Sequence, residues 1–62
     1  MEKPRCKLIG ENGNIFNLMV IAARCLKEEG LKDQADEMLE RIYKSQSYLE
    51  ALAIISEYVE VE

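Results

Sequence analysis

Between Asn14 and Gly30 the chain runs without proline or glycine, and its apolar residues do not keep to one side. Ile15, Leu18, Met19, Ala22 and Leu26 recur at the spacing that stacks side chains on one face of a helix. Phe16, Val20, Ile21 and Ala23 carry that stripe well around the cylinder. Asn14 is a good N-cap, because its side-chain oxygen accepts an amide of the first turn, and Gly30 tolerates the left-handed conformation that ends a helix. The spacing therefore predicts a helix over 15–29. A helix apolar on several faces needs cover on several faces. Two further short helices leave part of it bare, so the expectation is self-association through this helix, at least to a dimer and most simply with twofold symmetry.

The rest of the chain supplies those two helices. A second is expected at about 32–44, with Leu31, Ala35, Met38, Leu39 and Ile42 inward and Asp33, Glu37, Glu40 and Arg41 outward. Its early Asp33 and Asp36 and late Arg41 and Lys44 suit the helix dipole. A third, at 48–59, opens on the capping box Ser47–Glu50 and continues with Leu49, Leu52, Ala53, Ile55 and Val59, a stripe that Ile54 and Tyr58 widen. The short link Ser45-Gln46-Ser47 forces these two into an antiparallel hairpin. Ser47 to Leu52 resembles the start of the second helix of a tetratricopeptide unit, one copy of which cannot close a core. Met1 to Lys7 contain Pro4 and few apolar groups, and their first few residues are expected to fray. Cys6 to Ile9 suit a short extended piece ending at the turn Gly10 to Asn14. Val59 to Glu62 alternate with period two, which is compatible with an extended segment beside Leu8 and Ile9 and leaves that pairing open. The expected fold is all-α: a single three-helix domain with a short extended N-terminal arm over 1–14, self-associating.

Composition narrows the chemistry. At 62 residues there is room for one small domain. The chain has no His, and Cys6 and Cys25 lack CxxC spacing, so no metal site, cofactor or acid–base machinery is indicated and the chain is not expected to be an enzyme. No leader-like segment stands at the start, and the longest apolar stretch, Leu18 to Ala23, is too short to span a membrane. These features predict a cytoplasmic protein whose two thiols are reduced and structural. Net charge is −4, unevenly spread: Lys3, Arg5 and Lys7 outnumber Glu2 at the start, whereas Glu50, Glu57, Glu60 and Glu62 are the only charges from Glu50 onward. Duplex DNA is not an expected partner; a small anion at the amino end is compatible with this distribution.

The one constellation with binding chemistry is the glycine–asparagine turn feeding a helix start. Unpaired backbone amides and the dipole's positive end favour phosphate or carboxylate there. The candidate ligand residues are Gly10, Asn12, Gly13, Asn14, Phe16 and Asn17, with Arg5, Lys7 and Arg24 as nearby cations and Phe16 as a stacking face. Against this, glycine and asparagine before a helix also serve as plain turn and cap residues, and Glu11 repels an anion. Ile9 to Gly13 resembles the I-G-x-x-G loop of the KH domain, a single-stranded nucleic-acid clamp, but carries Glu11 and Asn12 where that loop is usually basic, and the chain lacks room for the KH sheet.

Two longer segments, K-L-I-G-E-N-G-N-I-F at Lys7 to Phe16 and S-Y-L-E-A-L-A-I-I-S-E-Y-V at Ser47 to Val59, resemble a family of short proteins from phages and mobile elements of Gram-positive bacteria. The resemblance implies the cytoplasm of a bacterial host and an accessory, anti-defence role in infection. By analogy with small phage proteins that sequester nucleotide signals, it implies an oligomer holding a phosphate-bearing nucleotide without chemistry at the turn. The competing expectation is an inhibitor that meets a basic host defence enzyme through the acidic third helix.

Overall fold

The computed structural model describes residues 3–62; Met1 and Glu2, where the fraying was expected to begin, lie outside the described residues. The elements run β1 (Arg5–Cys6), α1 (Ile15–Glu28), α2 (Lys32–Tyr43), α3 (Tyr48–Tyr58) and β2 (Glu60–Val61). The three helices start and stop where their signals place them, for local reasons. Asn14 Oδ1 accepts the Phe16 amide at 2.8 Å. At the other end of α1, Gly30 stands at φ 77°, its amide donates to Lys27 C=O at 3.0 Å and the Leu31 amide donates to Leu26 C=O at 2.9 Å. That is a Schellman closure, which only a residue without a Cβ adopts cheaply. Ser47 Oγ accepts the Glu50 amide at 3.0 Å, so one of the two capping-box bonds is made; the return bond from Glu50 is not.

The chain's ends depart from an all-α arrangement. β1 and β2 pair in parallel, with Arg5 opposite Glu60 and Cys6 opposite Val61. The Glu60 amide donates to Pro4 C=O at 2.8 Å and the Glu62 amide to Cys6 C=O at 3.0 Å, while the Leu8 and Ile9 amides share Glu62 C=O at 2.8 and 3.0 Å. The arm is thus tied by backbone hydrogen bonds from Pro4 onward. Its ladder lies earlier in the chain than a pairing centred on Leu8 and Ile9. Alternation explains the pairing: Cys6, Leu8 and Val59 point inward and are buried, whereas Arg5, Lys7, Ile9 and Glu60 point outward.

The core forms around α1, whose Leu18, Met19, Ala22, Ala23 and Leu26 are buried against α2, α3 and β1. Among its large apolar residues Phe16 and Val20 stay exposed. The arm covers a further face of α1 beside those covered by α2 and α3. α2 buries Ala35, Met38 and Ile42 as its pattern indicates. α3 is rotated from the expected stripe: Ala51, Ile54, Ile55 and Tyr58 face inward, while Leu49 and Ala53 face out. The shift lets Tyr58 reach α2. Its hydroxyl donates to Glu37, Arg41 Nη1 donates back to it at 3.2 Å, and Arg41 grips Glu57 through two bonds of 2.9 and 3.0 Å.

Cys6 and Cys25, expected as separate reduced thiols, form a disulfide with Cα atoms 6.0 Å apart. The parallel pairing of the ends brings Cys6 onto α1, within the separation a disulfide spans. The bond closes a loop of sequence separation 19.

Two measurements probe these links. Replacing both cysteines by alanine is expected to lower the unfolding free energy by about 3 kcal/mol, the chain-entropy value for a loop of this length, read as a lower urea midpoint. Acid should weaken the fold as well. The hydrogen bond from Arg41 holds the Glu57 carboxyl below the usual carboxylate range, and the hydrogen bond from Lys32 does the same for Asp36. Their contribution is complete above that range and is lost as pH falls through the lowered folded-state values. Melting temperature should therefore drop with acidification, and Glu57→Gln should flatten the decline.

Candidate functional site

The turn before α1 is held by its own side chains. The Glu11 amide donates to Leu8 C=O at 3.1 Å, with Gly10 at φ 94° in the third position of the turn, where type II geometry needs a positive φ. Gly13 has no such φ, and no asparagine is left-handed. Asn12 Oδ1 accepts the Asn14 amide at 2.9 Å, and Asn17 Nδ2 donates to Asn12 C=O at 2.9 Å. With Asn14 capping Phe16, the three amides expected to read a ligand instead tie the loop to the helix. The amides of Asn14 and Phe16, two of those expected to grip an anion, are engaged within the chain.

The expected cations do not gather at this turn. Arg24 is exposed on α1, seven residues beyond Asn17, which is about 10 Å along the axis. Lys7 is exposed on the arm, and Arg5 lines a separate cleft of about 750 Å³ with Lys3, Cys25, Glu28, Glu29 and Glu60.

Beside the turn, however, the molecule opens two apolar grooves divided by one tyrosine. The first, about 310 Å³, lies where the start of α1 meets the α2–α3 hairpin, and its walls include Phe16, Met19, Tyr43 and Tyr48. The second, about 330 Å³, is walled by Leu8, Ile9, Leu52 and Val61, with Tyr48 and Gly13 at its boundary. Tyr48 is fixed between them by its hydroxyl, which donates to Gly13 C=O. No residue lining either groove is charged, in a chain that is 32% charged.

Of the expected ligand residues, Phe16 and Gly13 border these grooves. Ile9, Tyr43, Tyr48, Leu49 and Val61 were not among the candidate ligand residues. Leu49 is 76% exposed and follows the Ser47 cap, on the same outer side of α3 as Leu52. A large apolar residue in a first helical turn, off the stripe centred on Ala51, Ile54 and Tyr58, was the available signal.

Gly10 and Gly13 should respond differently to substitution. A Cβ at Gly13 would meet the Tyr48 hydroxyl at an ordinary 3.6 Å, whereas Gly10 is confined to positive φ. Gly10→Ala is expected to cost about 1–2 kcal/mol and Gly13→Ala about 0.5 kcal/mol or less, measured by chemical denaturation. Comparison with protein-family models, with curated proteins and with solved structures gives no match for this chain.

Proposed function

We propose that this protein is a non-catalytic interaction module, and that its working surface is the uncharged aromatic face around Tyr48. One observation carries the reading: two adjoining grooves, both without a charged lining residue, share one tyrosine wall. Charge depletion with aromatic enrichment is what distinguishes the core of a protein interface from ordinary surface.

The partner best supported is a second copy of the chain. Ile9, Phe16, Tyr43, Tyr48, Leu49 and Val61 are each between 38% and 76% exposed. Taking roughly 150–250 Å² per large side chain, these exposures come to on the order of 700 Å². That approaches the about 800 Å² per partner of a stable interface. A patch without charge also sets no like charges against each other when two chains of net charge −4 meet. Self-association on this basis uses the arm and α3 together with Phe16, rather than α1 alone.

Inhibition of a basic host enzyme through the acidic third helix has less support, because Glu57 on that helix is paired with Arg41. Capture of a phosphate-bearing nucleotide draws support from Phe16 and Tyr43 as stacking faces. It has less support overall, because Arg5, Lys7 and Arg24 line neither groove.

Light scattering across a concentration series tests the proposal. The native chain is expected to approach twice the monomer mass at high concentration, and Leu49→Lys to remain monomeric with an unchanged melting temperature. A native chain that is monomeric throughout overturns self-association. Heat release of an intact nucleotide after incubation with adenosine-diphosphate-ribose derivatives would overturn the preference against capture.

A further inference from the structure

The two cysteines of the disulfide are not equally exposed. Cys6 is 1% exposed, whereas Cys25 is half-buried and lines the cleft of about 750 Å³ beneath the arm. Disulfide exchange begins when a thiolate attacks one sulfur and expels the other. Of the two cysteines, Cys25 is the one that lines this cleft. Lys3 and Arg5 stand in the cleft with Glu28, Glu29 and Glu60, so its lining carries both signs. A lining of both signs suits a small thiol that carries carboxylates and an ammonium group, as a glutathione-type peptide does.

We propose that Cys25 is a thiolation site for such a thiol, and that opening its bond to Cys6 unlatches the β1–β2 pair while the helices stay folded. In the first step the thiolate forms a bond to Cys25 Sγ as the Cys25–Cys6 bond breaks. Cys6 leaves with the electron pair and takes a proton from water. In the second step another thiol attacks the mixed disulfide, leaving Cys25 as a thiol and releasing the oxidised dimer of the small thiol. Two thiols are oxidised and one protein disulfide is reduced.

The fold sets what opens. Each strand is two residues long, and so short a pair relies for anchorage on the burial of Cys6, Leu8 and Val59 and on the disulfide. The helices keep their own fastenings: the Asn14 and Ser47 caps, the Gly30 closure and the Arg41–Glu57 clasp. The arm is accordingly the unit most dependent on the disulfide. Ile9 and Val61 belong to that unit and wall the second groove, so its release removes one side of the interaction surface. This last consequence rests on the proposed interaction face; the latch does not.

The test uses oxidised full-length chain treated with reduced glutathione, quenched by alkylation, then peptide-mapped and followed by amide exchange. The expected adduct is on Cys25. After full reduction with dithiothreitol, exchange at the Leu8, Ile9, Glu60 and Glu62 amides should accelerate at least about tenfold, the shift that 1.4 kcal/mol of lost protection gives, while amides in the three helices remain protected. An adduct on Cys6, no adduct at all, unchanged strand amides, or simultaneous loss of protection in all helices would each overturn the latch. Repeating the exchange on Leu49→Lys reads the latch in a chain expected not to self-associate, so its failure is distinct from failure of the interaction face.

Discussion

Because α1 carries apolar side chains on nearly every side, its burial needs three covering surfaces, and a chain of 62 residues supplies them only if both ends take part. α2 and α3 provide two. The third is the arm, where Cys6 and Leu8 reach inward. An isolated arm has no reason to stay there: its strand is short and its outward residues are polar or exposed. Pairing with β2 satisfies its backbone groups, and the bond from Cys6 to Cys25 fixes it covalently to the helix it covers. Burial, main-chain pairing and the disulfide therefore act on the same few residues.

That arrangement also decides what remains outside. Once the arm is laid along α1 and α3 has turned to bring Tyr58 toward α2, Ile9, Phe16, Tyr43 and Val61 are left exposed in the grooves that Tyr48 divides. The hydroxyl of Tyr48 is used up on Gly13 C=O, so the residue stands as a fixed wall with its ring exposed at two grooves. Fixed aromatic side chains lose little entropy on contact with a partner, which is why such walls suit recognition. The acidic third helix is less free than its sequence indicates, since Glu57 is held by Arg41. This shifts the interaction reading from charge to apolar contact.

Much of the architecture was legible because it rests on local chemistry. Asn14, Gly30 and Ser47 act on amides and carbonyls a few residues away, so their identity alone locates the helix ends. The inward face of α2 was equally legible, being a clean stripe against a polar remainder. The glycine–asparagine turn was legible, but the contacts that its asparagines make were not. Whether an asparagine amide reads a ligand or holds a loop depends on distances of a few ångströms within the turn, and here Asn12, Asn14 and Asn17 hold the loop.

Sequence alone determined the three helices, their order and their caps, since each follows from contacts within one or two turns. Tertiary structure decided the remainder. It chose the face α3 buries, because apolar residues surround that helix and only the position of Arg41 and Glu37 on α2 selects Tyr58 as its inner edge. It also decided that the two ends pair and that Cys6 meets Cys25, both products of helix lengths and directions summed over the whole chain. The grooves around Tyr48 belong to that second group, for their walls come from five segments that no local pattern brings together.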